Sequence, residues 1–146
     1  MNEENTEELW IPVWSEKYLS GNTQLDHFHK VIVEGIEQLY TMSENAQQYK
    51  QEIPELTAHL EAALWEHMDL EIFYLKKYDI PYTLHEASHD KFKSTLVFYK
   101  DYKMNPVIRA ILTAETASEY MKKHFFHFDV YDIPKINEKM KIDNEK

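Results

Sequence analysis

His67-Met-Asp-Leu-Glu71 and His85-Glu-Ala-Ser-His89 each place two metal-binding side chains four residues apart, on opposite sides of Pro81. A helix advances about 100° per residue, so positions four apart share a face. Two helices separated by a break at 78–81 would turn those imidazoles and the carboxylate toward one another. The chain has no cysteine, which removes disulfides, thiolate nucleophiles and cysteine-ligated clusters. Any metal must be held by nitrogen and oxygen, a donor set that suits iron, zinc, manganese or copper.

The elements that must carry these residues follow from the hydrophobic periodicity. A first helix begins after Gly21-Asn22-Thr23 and runs to about Ser43, with Leu25, His29, Ile32, Ile36 and Leu39 in one stripe. A second starts near 52–55 and carries Leu56, Leu60, Leu64, His67, Glu71, Tyr74 and Leu75. A third opens on Thr83-x-x-Glu86, which has the form of a capping box, and aligns His85, His89, Phe92, Leu96 and Tyr99. A fourth opens on Asn105-Pro106, a cap residue followed by proline in the first turn. Its stripe is Ile108, Leu112, Thr113, Ala117, Tyr120, His124 and Phe128, with Asp129 near its end. The expected fold is all-α, an antiparallel up-down-up-down four-helix bundle. An extended N-terminal arm bearing Trp10, Pro12, Trp14 and Tyr18 precedes it. Ile133-Pro134 is expected to end the order, so residues 1–134 form the expected domain, and 135–146 a polar, frayed tail.

Composition narrows the class. A chain of 146 residues, 43% hydrophobic, makes one domain with one core. Its net charge of −10 disfavours nucleic acid and anionic membranes as partners. No run reaches the roughly 18 apolar residues of a membrane span, and the acidic N-terminus lacks the pattern of a secretory signal. The expected location is the cytoplasm. Two glycines are too few for a turn-rich β protein or a phosphate-cradling loop.

A lone histidine on an apolar face is ordinarily a hydrogen-bonded core residue, and a His–Glu pair four apart is ordinarily a surface pair. Here five imidazoles (His29, His67, His85, His89, His124) and two carboxylates (Glu71, Asp129) fall on or beside the inward lines of all four helices. Without a metal that core would bury too many unmet polar groups. One six-coordinate ion leaves donors over; two ions sharing both carboxylates and one bridging oxygen use them all. Three histidines then complete six ligands on one ion, while two histidines leave the other with five and an open position. Asp129 does not follow from spacing, because five residues put it roughly 140° around an ideal helix from His124. A helix distortion, or reach from a different height, would be needed. His27, His59 and His127 lie off the pattern, as surface or supporting residues.

The set H…HxxxE…HxxxH…HxxxxD, running through His29, His67, Glu71, His85, His89, His124 and Asp129, resembles that of the hemerythrin family of non-haem di-iron proteins. Trp14…Gly21…Leu25-Asp26-x-x-His29 and Tyr78-x-x-Pro81…His85-x-x-x-His89-x-x-Phe92 look like the family's flanking signatures, and the similarity spans about residues 10–130. The resemblance implies two iron ions bridged by an oxo or hydroxo oxygen and by Glu71 and Asp129. It implies His85, His89 and His124 on the six-coordinate iron, and His29 and His67 on the iron with the vacancy. The implied function is reversible dioxygen binding for storage, delivery or scavenging, by a carrier rather than an enzyme. A sensor acting through a separate partner, or a di-iron oxidase or peroxide- or nitric oxide-handling enzyme, are the alternatives. Phe28, Met68, Ile72 and Tyr120-Met121 depart from the family's usual residues without removing a ligand.

Overall fold

The computed structural model describes residues 19–124 and 128–145. The expected arm with Trp10, Pro12, Trp14 and Tyr18, and residues 125–127, lie outside them. The described chain is all-helical: α1 (Thr23–Ser43), α2 (Glu52–Lys77), α3 (Thr83–Asp101), α4 (Pro106–His124) and α5 (Val130–Asn144). No helix among the described residues is long and apolar enough to cross a membrane.

Local chemistry sets the helix ends. The Asn22 side chain caps α1 by accepting from the Leu25 N–H at 3.1 Å, after Gly21 has turned the chain at φ +86°. The Asn105 side chain likewise accepts from the Val107 N–H at 2.8 Å. At the end of α2, Asp79 takes φ +56°, and the Ile80 N–H reaches back to the Leu75 carbonyl at 2.9 Å. This is a Schellman stop, with Ile80 and Leu75 closing an apolar contact over it. The capping box expected at Thr83 does not form. Thr83 is already helical, Tyr82 precedes it, and no side chain caps that end.

α2 packs against each of the other four helices, α1 lies against α2 and α4, and α3 lies against α4 and α2. The inward stripe expected for α1 is buried throughout. On α4 Thr113, Ala117, Tyr120 and His124 of the expected line are buried, but Ile108 is 53% exposed, and Ala110, Ala114 and Met121 widen the inward face instead. Small side chains permit the close approach of α4 to α1 and α2, and that outranks the greater hydrophobicity of isoleucine.

The C-terminal stretch differs most from expectation. Beyond His124 the backbone makes a wide i→i+5 turn at Phe128 and Asp129 and continues as α5 to Asn144. Pro134 falls inside this helix, close to its start, and does not end the order. Ile133 and Ile136 are buried and Met140 packs beside them, in a cluster with Leu25, Tyr74, Leu75 and Ile80. The spacing of those three residues is i, i+3, i+7, a helical signal hidden by the polar residues around it. Asn137 ties α5 to the segment before α1, donating to the Ser20 carbonyl at 2.6 Å.

The ligand positions lie between this cluster and the larger core. His29 stands between Leu25 of the one and Ile32 of the other, and His67 and Glu71 stand between Leu64 and Leu75. Replacing the fully buried Ile133 by alanine is expected to cost about 2–5 kcal/mol in chemical denaturation, as for a docked core residue. A frayed tail would give less than about 0.5 kcal/mol.

Candidate metal centre

The structure brings all seven expected ligands together, each no more than 2% exposed. α1 supplies His29, α2 supplies His67 and Glu71, α3 supplies His85 and His89, and His124 ends α4. Asp129 sits in the wide turn that follows. An i→i+5 turn takes more residues per revolution than an α-helix, and Asp129 Oδ1 stands 3.2 Å from His124 Nε2. His27 and His59 are exposed, and His127 lies outside the described residues.

All five imidazoles turn Nε2 inward, in two unequal groups. Nε2 of His124 lies 2.9 Å from that of His85 and 3.0 Å from that of His89. For an ion about 2.1 Å from each nitrogen, neighbouring donors stand roughly 3.0 Å apart on an octahedron and roughly 3.4 Å on a tetrahedron. Both separations are those of adjacent octahedral corners. Glu71 Oε1 faces this trio, 3.0 Å from His89 Nε2 and 3.1 Å from His85 Nε2. Asp129 Oδ1 joins it at 3.2 Å from His124 Nε2. The other carboxylate oxygens face the second group: Glu71 Oε2 is 3.6 Å from His29 Nε2 and 3.7 Å from His67 Nε2, and Asp129 Oδ2 is 3.4 Å from His29 Nε2. Glu71, His85, His89 and His124 could hold one metal ion, and His29, His67, Glu71 and Asp129 another, the ligand atoms of each group all lying within 4.8 Å of one another.

The donor set passes a chemical test for a bound cation. His67 Nδ1 donates to the Leu64 carbonyl at 2.9 Å, which leaves Nε2 with a bare lone pair. That atom is buried without a hydrogen-bond partner among the described residues, and it faces a carboxylate oxygen. Two acceptors facing across a dry gap repel unless a positive charge lies between them.

Three ligand rings are held from behind, as metal-binding histidines usually are. Besides the Leu64 carbonyl on His67, Ser88 Oγ lies 2.8 Å from His124 Nδ1, and Asp132 Oδ2 lies 2.7 Å from His85 Nδ1. The spacing of the ligands does not point to these partners. Ser88 stands in plain view within the 85–89 motif, whereas Asp132 was hidden by the expectation that order ends nearby. Tyr120 bears directly on the site, its ring stacked on His124 at 4.6 Å and on Phe92 at 4.1 Å. Burial and the nearby Glu71 and Asp129 carboxylates push its hydroxyl well above its ordinary range.

Without metal, protons would supply the missing charge. Burial pulls His29 and His85 down, but hydrogen bonds and charge from Asp129 and Glu71 outweigh it and hold both at about 10. Burial keeps His67 neutral, lowered to about 4. Glu71 is pushed up by burial, yet the surrounding histidines, His67 foremost, hold it well below the usual range.

Metal loading at pH 7 is therefore expected to displace at least two protons, from His29 and His85. Affinity should rise with pH up to about 10 as that competition fades. Calorimetry in buffers of different ionisation enthalpy checks this, and a heat independent of buffer would contradict it. In the metal-free fold the stabilisation from His29 and His85 is complete below about 6.5 and drains as pH rises toward about 10. That from Glu71 is present at neutral pH and lost in acid.

In comparisons with known proteins, no family model, curated protein or solved structure matches this chain.

Proposed function

We propose that this chain is a hemerythrin-like protein, an antiparallel four-helix bundle that binds dioxygen reversibly at two iron ions. The uneven division of nitrogen donors about two shared carboxylates carries the reading: three imidazoles on one side, two on the other, with one oxygen of Glu71 and of Asp129 toward each. His85, His89 and His124 would hold one iron and His29 and His67 the other, with Glu71 and Asp129 shared between them. The side with fewer nitrogen donors would be the one open to dioxygen, and a ferrous pair would supply the two electrons that reversible binding needs.

The protein's own part is to hold the donors rigidly and to keep water away. Leu25, Ile32, Leu64 and Met68, within one turn of His29 or His67, are buried at 2% exposure or less. Such walls favour release of the ligand over loss of a reduced product to solvent. Di-iron oxidases of the ferritin-like class draw on more carboxylates; a centre of five imidazoles and two carboxylates is better suited to holding dioxygen than to cleaving it.

Ferrous-loaded protein is expected to take up one dioxygen per two irons and to return it under vacuum, followed by absorption spectroscopy. Irreversible oxidation on first exposure would contradict reversible binding, and turnover of peroxide or nitric oxide well above that of free iron would make the protein an enzyme. His124→Ala removes one of three nitrogen donors from one ion and should lower iron content toward one per chain. Iron content equal to that of the wild type would overturn the assignment of His124.

A further inference from the structure

The groups behind the ligand rings are not equivalent. His67 leans on a carbonyl and His124 on a hydroxyl, both neutral, whereas His85 leans on the carboxylate of Asp132. Asp132 lies in the first turn of α5, three residues beyond Asp129. It is mostly buried, and its second oxygen stands 3.9 Å from the exposed Lys135 ammonium. Its place does not depend on His85. Ile133 and Ile136, which follow it, are buried, and Asn137 is bonded to Ser20. A helix outside the four that supply the imidazoles thus delivers a third carboxylate to the centre.

We propose that Asp132 is a positioning residue for the ion held by His85, His89 and His124, one that also sets the charge balance between the two ions. This rests on the two-metal reading above. Accepting the Nδ1–H of His85 fixes the tautomer with a lone pair on Nε2 and fixes the plane of the ring. A full negative charge behind the ring makes the imidazole a stronger donor than one backed by a neutral group. The three-histidine ion therefore receives more electron density than its nitrogen count alone implies. Its higher oxidation state would be stabilised, and neither the Leu64 carbonyl behind His67 nor the Ser88 hydroxyl behind His124 carries such a charge.

The test uses full-length protein with Asp132→Asn, which keeps a carbonyl oxygen for His85 but removes the charge, and Asp132→Ala, which removes both. Cobalt(II) titration reads the two ions separately from any dioxygen chemistry. Asp132→Ala should weaken one of the two cobalt equivalents by about 10- to 100-fold and leave the other unchanged. Asp132→Asn should weaken the same equivalent by less. In the iron-loaded protein both variants should move the midpoint potential to more positive values. Wild-type cobalt affinities and potential in variants of unchanged helicity would overturn the proposal. So would loss of both ions together with helicity in Asp132→Ala while Asp132→Asn matches the wild type throughout, since Asp132 would then matter only to α5. Dioxygen uptake is not read, so a failure of oxygen binding is distinguishable from a failure of this inference.

Discussion

Five imidazoles and two carboxylates occupy one dry volume between two apolar clusters, and positive charge shared among them is what makes that arrangement tolerable. Burying an ionised carboxylate without compensation costs several kcal/mol or more. Glu71 is fully buried and Asp129 nearly so. Each divides its two oxygens between the same two sets of nitrogens, so positive charge on either side, whether a proton or a metal ion, acts on both carboxylates. Placing the site at the junction of the two clusters is a consequence, because only there do inward faces from all the helices meet.

Much of this can be read from the chain alone. His29, His67, Glu71, His85 and His89 occupy helical spacings that also carry apolar residues, so periodicity selects their face and burial follows. Their convergence is visible because four separate stripes each contain polar residues that an ordinary core would exclude. Asp129 was less legible. Its placement depends on a local departure from the α-helix that no propensity announces, and only a functional demand for both His124 and Asp129 hints at it. Wide turns of this kind are frequent at functional sites.

The misreadings share a cause. Ile108 and Pro134 were judged by residue type, as a core former and a breaker, where position decides. Alanines let α4 approach its neighbours closely, and a proline early in α5 leaves the rest of that helix intact. The apparent capping box at Thr83 failed similarly: the tertiary path into α3 places Thr83 one residue too far along to serve as a cap. Missing α5 also concealed Asp132, so one error in secondary structure became an omission at the site.

The Schellman stop at Asp79 carries a consequence for how the chain can change length. Only five residues separate α2 from α3, and His85 follows within the first turn of α3. A single residue inserted or deleted in the helical stretches from Glu71 to Lys77 or from Thr83 to His85 would turn the ligands beyond it by about 100° about the helix axis and move nitrogen donors away from Glu71. The α1–α2 and α3–α4 links lie about three to four turns from the nearest ligand and have room to absorb such an indel. The tolerance of this molecule to drift in loop length is thus lopsided, and the shortest reach of chain between two ligand pairs is its least negotiable.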